Sequence, residues 1–246
     1  MQPFPPLPEW LEAEHEVAHL LQHQEEHGWY FDERVAQQLT STLLNELQET
    51  YKLLRDRHPF VEGPVFTAKR DNRSQGYVKG APSTRLKEFN PTSRDHQAWI
   101  LKTFYGWKPT QLTATGKPII DEPILKEIGS ETSMMFLRCL TVQKMLGLLS
   151  EGVNAWLKLV TNARIHHHCS VATATFRCAH RNPNLAQVPS DDRFRKLFLP
   201  SPGQVMVGAD LAGIELRMLS HFLARYDGGR YADILLNGDI HQVNAD

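Results

Sequence analysis

One segment, Val205–His221, constrains the fold more than any other part of the chain, because its pattern changes from strand to helix at a single aspartate. An apolar, β-branched run ends at Asp210, and apolar residues then recur on one face at helical spacing: Leu211, Ile214, Met218, Leu219, Phe222 and Leu223. The pattern predicts a buried strand over Val205–Ala209 that opens into a helix. A carboxylate at the end of such a strand can hold a hard cation such as Mg²⁺ through oxygen. It can equally cap the helix, and the spacing alone leaves both interpretations open.

The periodicity elsewhere predicts a largely helical first half. Helices are expected over residues 9–27, from Asp32 as an N-cap to about Arg57, over 93–105, from about Asp121, and over 131–149. Residues 58–88 are rich in glycine and proline with little periodicity, so we expect an irregular, mobile insertion there. Residues 164–189 are expected to be extended.

The residues around Asp210 form the pattern Asp-x-x-Gly-Ile-Glu-Leu-Arg-x-Leu-x-His, which resembles the first metal-binding motif of the family A DNA polymerases. The resemblance extends from about Glu14 to Asp246, and the branch it resembles most is that of the replicative enzymes of short-tailed phages. Further matches follow in the order of the family: Phe89-Asn-Pro-Thr-Ser-Arg-Asp95, Thr115-Gly-Lys-Pro118, Asp121-Glu122, Gln143-Lys144, Arg164-Ile-His166, Pro183-Asn-Leu-Ala-Gln-Val-Pro189 and Gly238-Asp-Ile-His241. Many short matches in one order make a specific signal, although each alone is weak.

The resemblance implies an α+β fold, in which a helical thumb joins an incomplete antiparallel palm sheet. Residues 1–32 are then an N-terminal segment that leads into the palm and thumb. Residues 33–160 form the thumb, with the basic insertion at 58–88. Residues 161–246 form the first part of the polymerase palm, through the first metal motif.

The resemblance also implies catalytic roles for individual residues. Asp210, with the carbonyl of Leu211, is expected to bind Mg²⁺, and Glu215 is expected to crowd the 2′ position of the incoming sugar and so exclude ribonucleotides. His241 is expected to contact the triphosphate of the incoming deoxynucleotide. Contacts with primer-template DNA are expected from Arg94, Lys117, Lys144, Arg177, Asn184 and Gln187.

Two of these residues, Asn184 and Gln187, also have a physical argument. Pro183 and Pro189 flank them and favour an extended segment with little helix. Amide side chains on such a segment can bond to the minor-groove edge of a base pair, where the acceptors lie in nearly the same place for every pair. Contact there tests pairing geometry without reading sequence, which suits a replicative polymerase.

The activity implied is template-directed addition of deoxynucleotides to a primer 3′ end. Phosphoryl transfer by two metals needs at least two carboxylates and a cationic clamp on the triphosphate. The family motifs that supply the second aspartate and the clamp are not found in this sequence. We therefore expect no extension by this chain alone, and a second polypeptide carrying the rest of the polymerase is a candidate partner.

Two other functions remain open. The first is a non-catalytic module that binds primer-template DNA. The second is a zinc metallohydrolase through His15, Glu16 and His19, whose His-Glu-x-x-His spacing places both imidazoles on one helix face. The cluster His166–Cys169 is also of metal-ligating type, but adjacent residues in an extended segment point to opposite faces, so we expect no site there.

Charge is unevenly distributed along a chain with a net charge of −1. Residues 52–94 carry ten basic and four acidic side chains, and residues 158–196 carry seven and two, which fits a groove that follows phosphates. The insertion at 58–88 has few apolar side chains with which to build a partner site, so we expect a basic DNA flap that does not bind thioredoxin. No apolar run is long enough for a membrane span. Three cysteines without a pairing pattern suit a reducing compartment, which predicts a cytoplasmic protein, in the host cytoplasm if it is viral.

Overall fold

The computed structural model describes residues 8–175, 177–238 and 242. The chain divides into two compact units, Met1–Pro200 and Ser201–Asp246. In both units helices predominate, and the strands are short and antiparallel. None of the described helices is long and apolar enough to cross a membrane.

Two long helices form the centre of the first unit. Helix α2 (Glu33–Arg57) begins at Asp32, whose carboxylate accepts a 2.9 Å hydrogen bond from the backbone N–H of Val35. Its buried residues recur every three or four positions and pack against α5 (Glu131–Leu146). The side chain of Ser130 caps α5, and a short π-helix over Gly147–Glu151 continues it. The expected N-cap and the expected long helix over 131–149 are confirmed.

The other helices of the first unit surround this pair. Residues 9–27 form a helix as expected, α1, in which no side chain is buried. The remaining helical segments of the unit are α3 (Arg94–Tyr105), α4 (Glu122–Ile128), α6 (Trp156–Leu159), a 3₁₀ turn over Leu185–Gln187, and α7 (Asp192–Arg195).

A three-stranded sheet joins distant parts of the first unit. Its central strand is β1 (Trp29–Phe31), which pairs antiparallel with β6 (Arg164–Ile165) and with β9 (Phe198–Leu199). Phe31 opposes Phe198 in the ladder, and both rings contact the buried Trp156 edge to face. The aromatic core therefore fixes the sheet against α6.

The insertion at 58–88 is more regular than its composition predicted. Strands β2 (Phe60–Glu62) and β5 (Leu86–Glu88) pair, and β3 (Phe66–Thr67) pairs with β4 (Pro82–Ser83). Outside the insertion, β7 (His168–Ser170) pairs with β8 (Ala179–Arg181) and forms a hairpin. The expectation of an irregular insertion was wrong, because local antiparallel pairing satisfies backbone groups without a periodic apolar pattern.

The second unit contains two helices, α8 (Ile214–Asp227) and α9 (Arg230–Asn237), which pack on each other through a turn at two glycines with positive φ. The predicted strand over Val205–Ala209 is not formed. Val205 and Val207 are 81% and 84% exposed, and no described residue of this unit offers a second strand. A strand needs a neighbour for its backbone groups, so an apolar pattern without one stays irregular.

Candidate functional site

Asp210 lies on an open segment that leads into α8. The helix begins only at Ile214, its N-cap is Gly213 in the left-handed region, and no side chain caps it. The interpretation of Asp210 as a helix cap is therefore wrong. The Asp210 carboxylate is exposed and makes no hydrogen bond or ion pair with any described residue. It is free to accept an outside ligand.

The turn between Asp210 and α8 is held by two hydrogen bonds. The guanidinium of Arg217 donates to the carbonyl of Ala212 over 2.8 Å, and the backbone N–H of Ile214 donates to the carbonyl of Leu211 over 3.3 Å. The Leu211 carbonyl keeps a second lone pair, so this bond does not exclude a metal contact. Glu215 lies in the first turn of α8, where the helix dipole favours a negative charge.

The other described carboxylates of the second unit have different roles. Asp227 accepts hydrogen bonds from the backbone N–H groups of Tyr231 (2.9 Å) and Gly229 (2.8 Å), and these bonds lower its pKa. Asp233 accepts from the side chain of Asn237. Asp210 is thus one hard oxygen ligand, and no described residue of its unit supplies a second free carboxylate beside it. His241, expected at the triphosphate, lies outside the described residues.

The predicted minor-groove residues lie in the first unit, just after the β7–β8 hairpin. The segment between Pro183 and Pro189 is not fully extended, because residues 185–187 form a 3₁₀ turn. The side-chain oxygen of Asn184 caps this turn by accepting from the N–H of Ala186 over 3.1 Å. The amide nitrogen of Asn184 does not take part in this cap; Asn184 is half-buried and Gln187 is exposed. Donors of this kind match the acceptors of the minor groove.

Arg177 lies in the loop of the hairpin and is exposed. Its carbonyl accepts a 3.0 Å hydrogen bond from the Thr173 hydroxyl, which closes the loop on itself. The structure therefore places Arg177 on the same strand–loop–turn segment as Asn184 and Gln187.

The three other predicted DNA contacts lie around the beginning of α4. Lys117 pairs with Asp95 at 2.7 Å, next to Arg94 in the first turn of α3. Burial lowers the pKa of Arg94, and the nearby carboxylate of Asp121, the N-cap of α4, partly offsets this lowering. The pKa of Glu122 is lowered mainly by its hydrogen bond with Lys126. The positive charge of Lys144 adds to this lowering. Sequence reasoning named these cations singly, and the fold brings them to one region.

The histidine face of α1 does not form a metal site. His15, Glu16 and His19 are exposed, and they are not among the described side chains whose ligand atoms converge. The converging group within the described residues is His167, Cys169 and His180. The zinc metallohydrolase hypothesis thus loses its site, and the structure shows a cluster that the sequence argument had dismissed. The signal was present as His-x-Cys at 167–169 and Cys-x-His at 178–180, since alternate residues share a strand face.

Comparison with known proteins gives a consistent result. Residues 66–246 match the family model for DNA polymerase family A. The chain is 32% identical to the DNA-directed DNA polymerase of Escherichia phage T7, over 96% of this chain and 42% of that protein, and the values for Enterobacteria phage T3 are the same. It is 28% identical to the thermostable DNA polymerase I of Thermus filiformis, over 89% of this chain and 24% of that protein.

A solved structure supports the fold. The POL domain of Pol1 from M. smegmatis, in complex with DNA primer-template and dNTP, superimposes with a TM-score of 0.63 at 20% identity. The match covers 92% of this chain and 36% of that one. The chain thus spans about two fifths of the length of the phage relatives it matches.

Proposed function

The chain belongs to the family A DNA polymerases, and on that premise we propose that it supplies the primer-template-binding part of a DNA-directed DNA polymerase together with its first metal-binding aspartate. The observation that carries the proposal is the family match over residues 66–246, which contains both the Asp210 segment and the hairpin with its following turn. The substrates proposed are primer-template DNA and deoxynucleoside triphosphates.

On the metal side, the available ligands fit Mg²⁺. Asp210 offers an uncommitted carboxylate, Leu211 offers a carbonyl oxygen, and Mg²⁺ prefers oxygen ligands. When bound, Mg²⁺ would stabilise the negative charge that develops on the transferred phosphoryl group. Glu215 would narrow the space beside the sugar of the incoming nucleotide, and His241 would contact its triphosphate.

On the DNA side, two groups of residues have different tasks. The amides of Asn184 and Gln187, with Arg177, would contact the primer-template near its end and sense the geometry of the pair. Arg94, Lys117 and Lys144 would bind phosphates of the duplex, which adds affinity without sequence preference. The ion pair of Lys117 with Asp95 is exposed and therefore weak enough to be exchanged for a phosphate contact.

The metal side is incomplete in the residues that the structure describes. Two-metal phosphoryl transfer needs a second carboxylate and a cationic clamp, whereas Asp227 and Asp233 are held by local hydrogen bonds. We therefore propose that catalysis requires further polymerase residues that supply this carboxylate and clamp, and a second polypeptide is one possible source of them. A non-catalytic primer-template-binding module is the second candidate function. It is favoured because the residues proposed to contact DNA all lie in the unit Met1–Pro200, whereas Asp210 lies in the other unit.

Single-nucleotide extension assays with purified 1–246, Mg²⁺ and all four deoxynucleotides test the proposal. We expect no measurable extension by this chain, but salt-dependent binding of primer-template in a fluorescence anisotropy titration. Asp210→Asn should leave that binding unchanged in the absence of Mg²⁺, since Asp210 is assigned to the metal. Clear incorporation by residues 1–246 alone would refute the need for further polymerase residues, and absence of DNA binding would refute the function as a whole.

A further inference from the structure

The β7–β8 hairpin contains a cluster of side chains that the proposed polymerase function does not use. His167 and Cys169 are two residues apart in an extended segment, so they share one face. Cys169 opposes His180 across the ladder, which adds a third side chain to that face. One potential ligand atom from each of the three lies within 4.8 Å of the others.

His167 and Cys169 are buried, His180 is half-buried, and three of the four imidazole nitrogens lack partners among the described residues. His167 is only 2% exposed, and neither of its ring nitrogens has a hydrogen-bond partner among the described residues. Nδ1 of His180 also lacks a hydrogen-bond partner, and the two imidazole rings stack with their centroids 5.1 Å apart. A buried polar group without a partner destabilises the folded protein. Several such groups around one point indicate a site whose ligand would satisfy them.

Cys178 is a fourth side chain of ligating type, two residues before His180; it is exposed and lies beside, not within, the converging group of three. Burial raises the pKa of Cys169 to about 11, and the neighbouring thiol of Cys178 adds to this effect. Burial lowers the pKa of His167, and the neighbouring His180 adds to this effect.

We propose that His167, Cys169, Cys178 and His180 bind one Zn²⁺ in a tetrahedral site that ties the two strands of the hairpin together. Two imidazole nitrogens and two sulfurs are a typical structural zinc set. In such a site the ligand atoms lie about 3.3–3.8 Å apart, and Sγ of Cys169 is already 3.9 Å from Nε2 of His180. Each thiol releases its proton to solvent as its Zn–S bond forms, and no electron is transferred.

The site would also fix the loop that carries Arg177. Cys178 follows Arg177 directly, so a Zn–S bond at Cys178 would hold the backbone beside the arginine and the strand that leads to Asn184. This consequence rests on the proposed DNA contacts, whereas the zinc site itself does not.

Metal content of the full 1–246 chain, purified with a non-chelating phosphine reductant, tests the site directly. We expect about one zinc per chain by elemental analysis after incubation with Zn²⁺ and removal of excess metal. Co²⁺ in place of zinc should give the intense visible absorption of a tetrahedral site and a thiolate-to-metal charge-transfer band. Cys169→Ser and His180→Gln should each weaken zinc binding by more than about 100-fold, beyond the loss from removing a supporting residue.

Matched controls separate this site from other histidines and cysteines. His168→Gln changes the opposite face of β7, where the imidazole pairs with Glu25 at 2.9 Å, and should leave zinc content unchanged. Cys139→Ala in α5 and His19→Gln in α1 should also have no effect. Less than about 0.1 zinc per chain in the parent protein would overturn the proposal. Full zinc in Cys169→Ser, or loss of zinc in His19→Gln, would do the same.

The role of Cys178 has its own test. Cys178→Ser should reduce the charge-transfer band of the Co²⁺ protein to about half, because one of two thiolates is removed. An unchanged band would show that Cys178 is not a ligand. If mass spectrometry instead finds a Cys169–Cys178 disulfide that persists in reductant, the zinc site is refuted. None of these measurements depends on polymerase activity, so a failure here is distinguishable from a failure of the proposed function.

Discussion

Asn184 has two roles in this structure, and one substitution would remove both. Its side-chain oxygen caps the 3₁₀ turn, and its amide nitrogen is proposed to donate to the minor groove. Asn184→Ala should weaken primer-template binding by about 1 kcal/mol, the usual net value of one hydrogen bond. Gln187→Ala should have a similar effect. Anisotropy titrations with primers ending in an A·T or a G·C pair should give equal losses, because the acceptors are shared.

Asn184→Asp is the matched control for the cap. It keeps an oxygen that accepts from the N–H of Ala186, so thermal stability should be unchanged, but it lacks the donor and should bind DNA at least as weakly as the alanine variant. Binding equal to the parent protein in Asn184→Asp would show that only the cap matters. A strong preference for one base pair in any of these variants would mean that the residues read sequence instead.

The roles of individual side chains could be predicted only in part from the sequence. The position of Asp210 before a helix was predictable from the apolar spacing, but the choice between cap and ligand was not. That choice depends on where α8 begins, and the left-handed conformation of Gly213 starts it three residues after Asp210. His180 was unpredictable as a partner of Cys169, because the pairing depends on the register of the hairpin.

At the scale of elements, the middle of the insertion at 58–88 can be deleted while its first and last strands stay paired. The backbone N–H of Gly63 donates to the carbonyl of Arg85 over 2.7 Å, so a short glycine-rich turn can replace residues 64–84 and leave the β2–β5 pair intact. The deletion removes four basic side chains, Lys69, Arg70, Arg73 and Lys79. DNA affinity should fall mainly at low salt. The slope of log affinity against log salt concentration should become shallower by at most about 0.9 for each of the four cations removed.

Two measurements check this prediction. Circular dichroism should be preserved in the deletion, and replacing the same four cations by glutamine in the full chain should reproduce the loss of DNA affinity. Unchanged salt dependence in both variants would show that the insertion does not contact phosphates.

Only part of the apolar surface of the insertion is used internally, which bears on thioredoxin. Val61 is buried, and the rings of Phe66 and Tyr77 contact each other, with the guanidinium of Arg85 over both. The exposed large apolar side chains are Phe60, Val65, Val78 and Leu86, which are spread along the sequence of the insertion. We therefore expect no sub-micromolar complex with thioredoxin in a calorimetric titration, and a complex of that affinity would overturn the expectation.

Elements were predictable from the sequence where local signals and packing agree. Helices α2 and α5 have capping residues and long apolar stripes, and both form as expected. The strand over Val205–Ala209 had only the apolar pattern, and a strand depends on a partner that periodicity cannot specify. The 3₁₀ turn after Pro183 was missed for a related reason, since one side-chain cap decides it.

At the scale of the whole molecule, the two units differ in how much apolar surface they bury. The first has a continuous core that includes Trp156, Phe136 and the inner faces of α2 and α5. In the second, Ser220 is the one buried residue of α8, and α9 has none among its described positions. Val205, Val207 and Leu211 are each at least 70% exposed. Exposed apolar surface of this kind is typical of a site that another chain covers.

This difference in buried apolar surface predicts different rates of amide hydrogen exchange in the two units, which mass spectrometry can measure. In purified 1–246 we expect the amides of α2 and α5 to exchange slowly and those of α8 to exchange with little protection, because few buried contacts oppose local opening of α8.

Addition of a polypeptide that carries the remaining part of a family A polymerase should slow exchange in residues 204–223, because the segment before Asp210 gains a strand partner and α8 gains an apolar partner. Val207→Lys should abolish that slowing without changing exchange in α2, whereas Thr161→Lys, an exposed change in the first unit, should not affect it. Equal protection of α8 and α2 in the chain alone would mean that the second unit is stable by itself, and the incomplete strand would then need another explanation.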